Sequence, residues 1–325
     1  MADTGGRPWR GKAFGVTVES GTPLAGLVAA ANGAESKLVE WEPVAEDVVG
    51  VDRIPKSEPL VDRRHPDGQL FMSIEQDSEL GYRIAAPGYG AHLVAADGSL
   101  IRSAVPTDAG DAWQRLFFAQ ALPLAAALRG LALFHASAVV DEGRAFAFVG
   151  LSGTGKTSIA AQLVARGARI LTDDVLALEP VEGKVRAHPG PARISVEPAE
   201  LARLDADGRK RLGRLLDAPT EDGKAQLETS PAEGPAPLGG VFLLSRVPTA
   251  GVSVRRDPAN RTQALLAAAF LGYLTLPQRL ALHLEVCARI AASVPTFAVQ
   301  IGEGTNAGET AEAMRGSIDR IEAGR

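Results

Sequence analysis

Eight consecutive residues, Gly150-Leu151-Ser152-Gly153-Thr154-Gly155-Lys156-Thr157, read G-x-x-x-x-G-K-T. That spacing builds a phosphate-binding loop when a strand precedes it and a helix follows. The glycines let backbone amides turn towards phosphate oxygens. A helix N-terminus adds unpaired N–H donors and partial positive charge. The nucleotide cradle expected here is Gly150, Ser152, Gly153, Thr154, Gly155, Lys156 and Thr157. Ser152 and Thr154 also suit loop geometry alone. Lys156 suits the β- and γ-phosphates, and the Thr157 hydroxyl suits Mg²⁺.

A phosphate loop implies nucleotide binding without naming a reaction. The next reactive groups are Asp173-Asp174, one helix and one return strand beyond the loop. Adjacent acids at the tip of an extended element point in different directions. One can face Mg²⁺ and the other an acceptor hydroxyl, whose proton a positioned carboxylate can take. His135 lies one strand upstream of the loop, where it can meet a phosphate or one of the aspartates. Arg193, Arg246 and Arg255 are candidates for a guanidinium on the phosphates. His65, His92, His188 and His283 have no metal-ligand spacing, and Cys287, the single cysteine, has apolar neighbours. An Asp pair serves a kinase or an ATPase equally well, and a nucleotide-gated binding module needs neither reaction.

The elements that must position these groups are legible around the motif. Residues 145–149 predict the strand entering the loop, and 158–166 the helix leaving it, with Gly167 as its stop. Residues 134–140, 169–172 and 175–178 read as strands, and 182–191 as a turn region. A basic helix is expected over 201–216, carrying Arg203, Arg209, Lys210, Arg211 and Arg214. An irregular excursion over 218–237, a buried strand over 238–244, helices over 260–272 and 277–292, and a strand over 295–301 complete this region. Before it, strands are expected at 13–18, 70–74, 80–84, 92–96 and 100–103, with Asp97-Gly98 as a hairpin turn. Residues 38–60 read as irregular, and 111–128 as a helix kinked or broken at Pro123. The division expected is 1–110 as a small β-rich unit, 111–305 as the kinase-like domain, and 306–325 as a polar tail or helix.

The 325 residues are 46% hydrophobic and 22% charged, with a formal net charge of -5. That balance is globular, and it argues against a nucleic-acid-binding surface. One cysteine excludes a disulfide framework. No signal segment or membrane-length apolar run is read, so a cytoplasmic location is expected.

The ordered combination of Phe134-His135-Ala136-Ser137-Ala138-Val139, the 150–157 loop and the 167–174 run resembles the catalytic domain of bacterial HPr kinase/phosphorylase and its related serine kinases. Residues 237–244 look like a later core strand of the same family. The resemblance covers roughly residues 111–300. It implies an α/β fold with a phosphate-loop core of HPr kinase/phosphoenolpyruvate carboxykinase-like type. It implies ATP and Mg²⁺ as cofactors, Asp173 as proton acceptor, Asp174 with Thr157 on the metal side, and His135 as a phosphate-side histidine. Thr157 stands where serine is commoner. The dedicated HPr signature has no match between Glu182 and Ala218, so the phosphorylase reaction and HPr itself are not implied. The chain is similar in character to the divergent relatives that phosphorylate a serine of ribosomal precursor peptides, including lasso peptides. The implied partner is a peptide or protein acceptor, with no nucleic acid or membrane, and several relatives form oligomers. Other relatives phosphorylate small hydroxyl compounds such as free serine.

Overall fold

The computed structural model describes residues 8–30, 37–49, 58–107, 110–216, 223–257 and 261–323. Contacts divide the chain into two units, Met1–Leu131 with Tyr273–Thr275, and Ala132–Gly272 with Leu276–Arg325. The division falls after Leu131, beyond the helical segment that the sequence grouped with the second domain. Among the described residues, no helix is long and apolar enough to cross a membrane.

In the first unit, short runs make strands β1 (Trp9–Ala13), β2 (Val16–Ser20), β3 (Val28–Ala29) and β4 (Leu38–Val44). They continue as β5 (Val61–Arg64), β6 (Leu70–Asp77), β7 (Gly81–Ala86), β8 (Gly90–Val94) and β9 (Leu100–Ala104). These form one sheet in the order β3-β1-β2-β4-β9-β8-β7-β6-β5. Two expectations are corrected. The single strand at 13–18 is a hairpin, because Phe14 and Gly15 both take positive φ, 52° and 78°, as a type I′ turn requires. The irregular 38–60 stretch begins with a true strand: Val39 and Trp41 are buried, while Glu40 and Glu42 are exposed. It pairs in parallel with β2 and β9. Residues 50–57 lie outside the described residues.

A short helix α1 (Glu46–Val49) follows β4, and α2 (Trp113–Leu116) and α3 (Leu122–Leu128) follow β9. Between α2 and α3, Phe117–Ala121 forms a π turn, with Leu122 N–H donating to the Phe117 carbonyl. The widened turn carries the chain past Pro123, which lacks an N–H, without a break. Trp113 stacks on Trp41 at 5.5 Å, and Phe117 meets His92 edge-on at 5.8 Å. The Trp41 indole donates to Ser103 Oγ at 2.9 Å, and that oxygen is 2.8 Å from His92 Nδ1.

This aromatic enclosure leaves His92 fully buried, and burial pulls its pKa down to about 3. Below its ordinary value near 6.5, the unfolded chain takes up a proton that folded His92 refuses. Stability therefore declines as pH falls from there towards 3. At about pH 5 the expected loss is about 2 kcal/mol. Chemical unfolding near pH 7 and pH 5 checks this: His92→Asn should lose that share of the pH dependence, and an unchanged dependence would remove His92 as its source.

The second unit is built on two long strands. Strand β10 (Ala132–Asp141) is followed by β11 (Arg144–Val149), helix α4 (Lys156–Ala165), β12 (Arg169–Thr172), β13 (Val175–Val181) and β14 (Lys184–His188). Next come β15 (Arg193–Val196), α5 (Pro198–Ala202), α6 (Ala206–Leu212), β16 (Arg214–Leu215) and β17 (Ala225–Glu228). The chain ends with β18 (Ala236–Val247), β19 (Val252–Arg256), α7 (Arg261–Ala267), α8 (Pro277–Ser293), β20 (Thr296–Gly302) and α9 (Ala307–Ala323). Strands β11, β18 and β20 run parallel, and β10 crosses antiparallel to β11. β18 also pairs with β14 through its first residues, so the sheet folds back on itself.

One face of this sheet packs Phe146, Phe148 and Phe242 against Ile159 and Leu163 of α4 and Met314 and Ile318 of α9. The other face packs Ala136, Ala147 and Val149 with Val286, Cys287 and Ile290 of α8. Burial pushes the Cys287 thiol up to about 11, as fits an inert core residue. α9 is a packed helix rather than a frayed tail. Asn306 and Glu309 cap it reciprocally, each backbone N–H donating to the other side chain at 3.1 and 3.0 Å.

The basic helix expected over 201–216 does not form. Asp205 accepts from Gly208 N–H at 2.6 Å and starts a new helix, and Gly213, at φ 137°, ends it. Arg203 pairs with Glu200, Arg214 with Glu228 at 2.7 Å, and Arg211 donates to the Ala165 carbonyl. The turn region at 182–191 is interrupted by β14, which pairs with β13, so that Glu182-Gly183 is the turn and 189–191 stay irregular. Within the excursion at 218–237, Ala225–Glu228 is a strand joining β15 to β16, while 217–222 lie outside the described residues.

Candidate functional site

The loop joins β11 to α4 as the sequence requires. Gly155 takes φ 100° at the helix N-cap, a conformation that strains any other residue. Gly150 leaves no room for a side chain: a Cβ there would sit 2.8 Å from the Leu244 carbonyl on β18. Lys156 is buried and folds back over the loop, its Nζ donating to the Gly150 and Leu151 carbonyls at 2.9 and 3.2 Å. Burial lowers its pKa, while Asp174 and Asp173 pull it up again. The ammonium thus lies against two loop carbonyls with two carboxylates in its field.

The Asp pair is placed by a change of partner along β10. Residues His135 and earlier pair with β13, and Ala138 onward pairs with β12. Between them the neighbouring chain leaves β10 after Thr172, turns out through Asp173 and Asp174, and rejoins at Val175. The turn is tight. Val175 N–H donates to the Asp173 carbonyl at 2.8 Å, and Asp174 between them takes φ 68°. That is the pattern of a γ-turn, a strained conformation found at functional sites.

Period-two alternation then puts His135 and Ser137 on one face of β10, each against one acid. Asp173 is half-buried. Its Oδ1 accepts from Thr157 Oγ1 at 2.7 Å and from Ser137 Oγ at 2.8 Å, and its Oδ2 accepts from Ser195 N–H at 3.3 Å. Burial raises its pKa most, the Asp174 charge raises it further, and the two hydroxyls and the Ser195 amide oppose them. Asp174 is exposed and meets His135 Nδ1 at 3.2 Å. His135 is half-buried, with Phe270 stacked on its ring at 6.5 Å.

No family model matches this sequence, and no curated protein does. Among solved structures the chain is similar to the Hpr(Ser) kinase/phosphatase from Coxiella burnetii, at 10% identity and a TM-score of 0.31. The match covers 58% of this chain and 98% of that one. The relationship is distant.

His135, Lys156, Thr157, Asp173 and Asp174 therefore converge on one end of α4. The pairing differs from the expected one, since the Thr157 hydroxyl meets Asp173 and not Asp174. Ser137 and Ser195 were missed. The signal for Ser137 was its position two residues beyond His135 on one strand, hence on the same face. Ser195 reaches the site through its backbone amide, which no side-chain pattern reports. Of the three arginines, Arg246 lies beside the loop, its guanidinium 3.6 Å from where a Cβ on Gly155 would sit. Arg193 is on β15 close to Ser195, and Arg255 is on the edge strand β19. Among the described residues, no group of three His, Cys, Asp or Glu is disposed to hold a metal.

Proposed function

We propose that this chain is an ATP- and Mg²⁺-dependent phosphotransferase acting on a serine or threonine hydroxyl of a peptide or protein, ribosomal precursor peptides included. The observation that carries the reading is the 2.7 Å hydrogen bond from Thr157 to Asp173 at the end of a complete G-x-x-x-x-G-K-T loop. A hydroxyl and a carboxylate at that place fit Mg²⁺, which takes oxygen ligands and needs only one or two from protein when phosphates supply others. Bound there, the ion would neutralise charge on the β- and γ-phosphates.

On this geometry the two acids exchange the parts that the family resemblance implies. Both Asp173 oxygens are already engaged by donors from three elements, which suits a fixed metal-side carboxylate. Asp174 is open to solvent and oriented by His135, which suits a base facing an incoming hydroxyl. The acceptor oxygen forms a bond to the γ-phosphorus, the bond to the ADP oxygen breaks, and the acceptor proton passes to Asp174. Lys156 holds the phosphates during transfer.

Incubation with labelled ATP, Mg²⁺, serine- or threonine-containing peptides and small alcohols including free serine tests the proposal. Label on a peptide hydroxyl, located by mass spectrometry, is the expected result. Label confined to a small alcohol would overturn the acceptor class. Release of inorganic phosphate with no labelled acceptor would favour an ATPase.

A further inference from the structure

The phosphate loop and the Asp pair adjoin opposite edges of β10, and the loop's edge carries apolar groups. β11 stays paired with β10 as far as Val149 against Ala136, and the chain then enters the loop at Gly150. Residues 268–270 take over the vacated edge. His135 N–H donates to the Ala268 carbonyl at 2.7 Å, and Phe270 N–H donates to the Leu133 carbonyl at 2.8 Å. Side chains alternate along such a pair, so Phe270 lies on the His135 face, and the two rings stack. Arg279 of α8 donates to the Phe270 carbonyl and holds it there. Leu151 opens the loop beside them. Its carbonyl is held inward by Lys156 Nζ at 3.2 Å, Thr154 Oγ1 at 2.8 Å and Thr154 N–H at 3.3 Å. Its side chain is 82% exposed, more than any other large apolar side chain among the described residues. Single exposed leucines are ordinary on protein surfaces. This one differs in place, because Lys156 marks the β- and γ-phosphate end of the loop.

We propose that Leu151 and Phe270 select the acceptor, by seating an apolar side chain next to the serine or threonine of an extended peptide. The proposal rests on the phosphotransferase reading, in which Asp174 meets the acceptor hydroxyl. Asp174 lies on the β13 side of β10, its carbonyl accepting from Ala136 N–H at 3.1 Å. Leu151 and Phe270 lie on the β11 side, with His135 between. Successive side chains of an extended chain point in opposite directions. A peptide that turns its hydroxyl to Asp174 therefore turns a neighbouring side chain towards Leu151 and Phe270. An apolar neighbour covers them and removes apolar surface from water. A small zwitterion such as free serine has no group that reaches them and gains nothing there.

Three acceptor peptides that differ only beside the serine, with leucine, lysine or aspartate on both sides, provide the test. In wild-type protein kcat/KM should favour the leucine peptide over each charged one by about tenfold, the lower end of what an apolar contact contributes to specificity. Equal values, or a preference for lysine or aspartate, would overturn the proposal and leave the phosphotransferase reading standing. Leu151→Ser and Phe270→Ala should each narrow the leucine preference to about threefold or less. The ratio between peptides within one variant cancels any loss common to all three, such as weaker nucleotide binding or a displaced His135. A leucine preference that survives both substitutions would remove these residues as its source. Label on free serine and on none of the peptides would overturn the peptide acceptor and this selection with it. No label on any acceptor would overturn the phosphotransferase reading itself.

Discussion

Lys156→Ala is expected to weaken Mg²⁺-ATP binding by about ten- to a hundredfold. Hydrogen bonds to a charged group are worth about 1.5–3 kcal/mol, and each 1.4 kcal/mol is a factor of ten in affinity. Transfer should fall further, by about 10²–10³ at saturating nucleotide, if the ammonium meets charge that grows in the transition state. Folding should survive. The ammonium donates to the Gly150 and Leu151 carbonyls at the loop, which water can satisfy once it is gone. Burial also disfavours the charged form of Lys156, so removing it relieves a desolvation cost. Calorimetry and a thermal melt on the same sample decide the matter. Unchanged nucleotide binding by a folded variant would remove Gly150–Thr157 as the phosphate site.

Substitution of the two aspartates should separate their parts. Asp173→Asn keeps an oxygen to accept from Thr157 and Ser137, but it loses the bond from the Ser195 amide and the charge beside the Thr157 hydroxyl. Its expected signature is a weaker dependence of nucleotide binding on Mg²⁺, together with a large loss of transfer. Asp174→Asn should bind Mg²⁺-ATP like the wild type and lose about 10²–10⁴ in kcat, the range for removal of a general base. Asparagine also tolerates the positive φ at this position, so the backbone should not confound the comparison. Equilibrium binding with and without Mg²⁺, beside steady-state kinetics, reads both effects. If the metal dependence changes in Asp174→Asn and not in Asp173→Asn, the assignment is reversed and the parts implied by the family resemblance are restored.

The loop and its strand–helix setting were legible because they are local. Turn geometry at Gly155 and the spacing of Lys156 and Thr157 depend on a few bonds of chain, so residue type and order are enough. The strands at 134–140, 145–149 and 169–172 were legible for the same reason, since apolar runs between turn residues specify them. The helical segment at 201–216 was misread because composition alone does not report Asp205 acting as a cap, or Gly213 as a stop. Strand β4 was missed because its pairing partners, β2 and β9, are remote in the sequence.

The order of residues determined that this protein has a phosphate-loop motif, an acid pair beyond it and a histidine before it. Only the tertiary structure decided which acid meets which partner. That choice comes from β10 exchanging β13 for β12 as its neighbour, which forces the chain through the turn at Asp174. Asp173 is thereby turned inward to Thr157, Ser137 and the Ser195 amide, and Asp174 outward to His135. Register between strands distant in sequence is set by the whole sheet, and no window of neighbouring residues contains it.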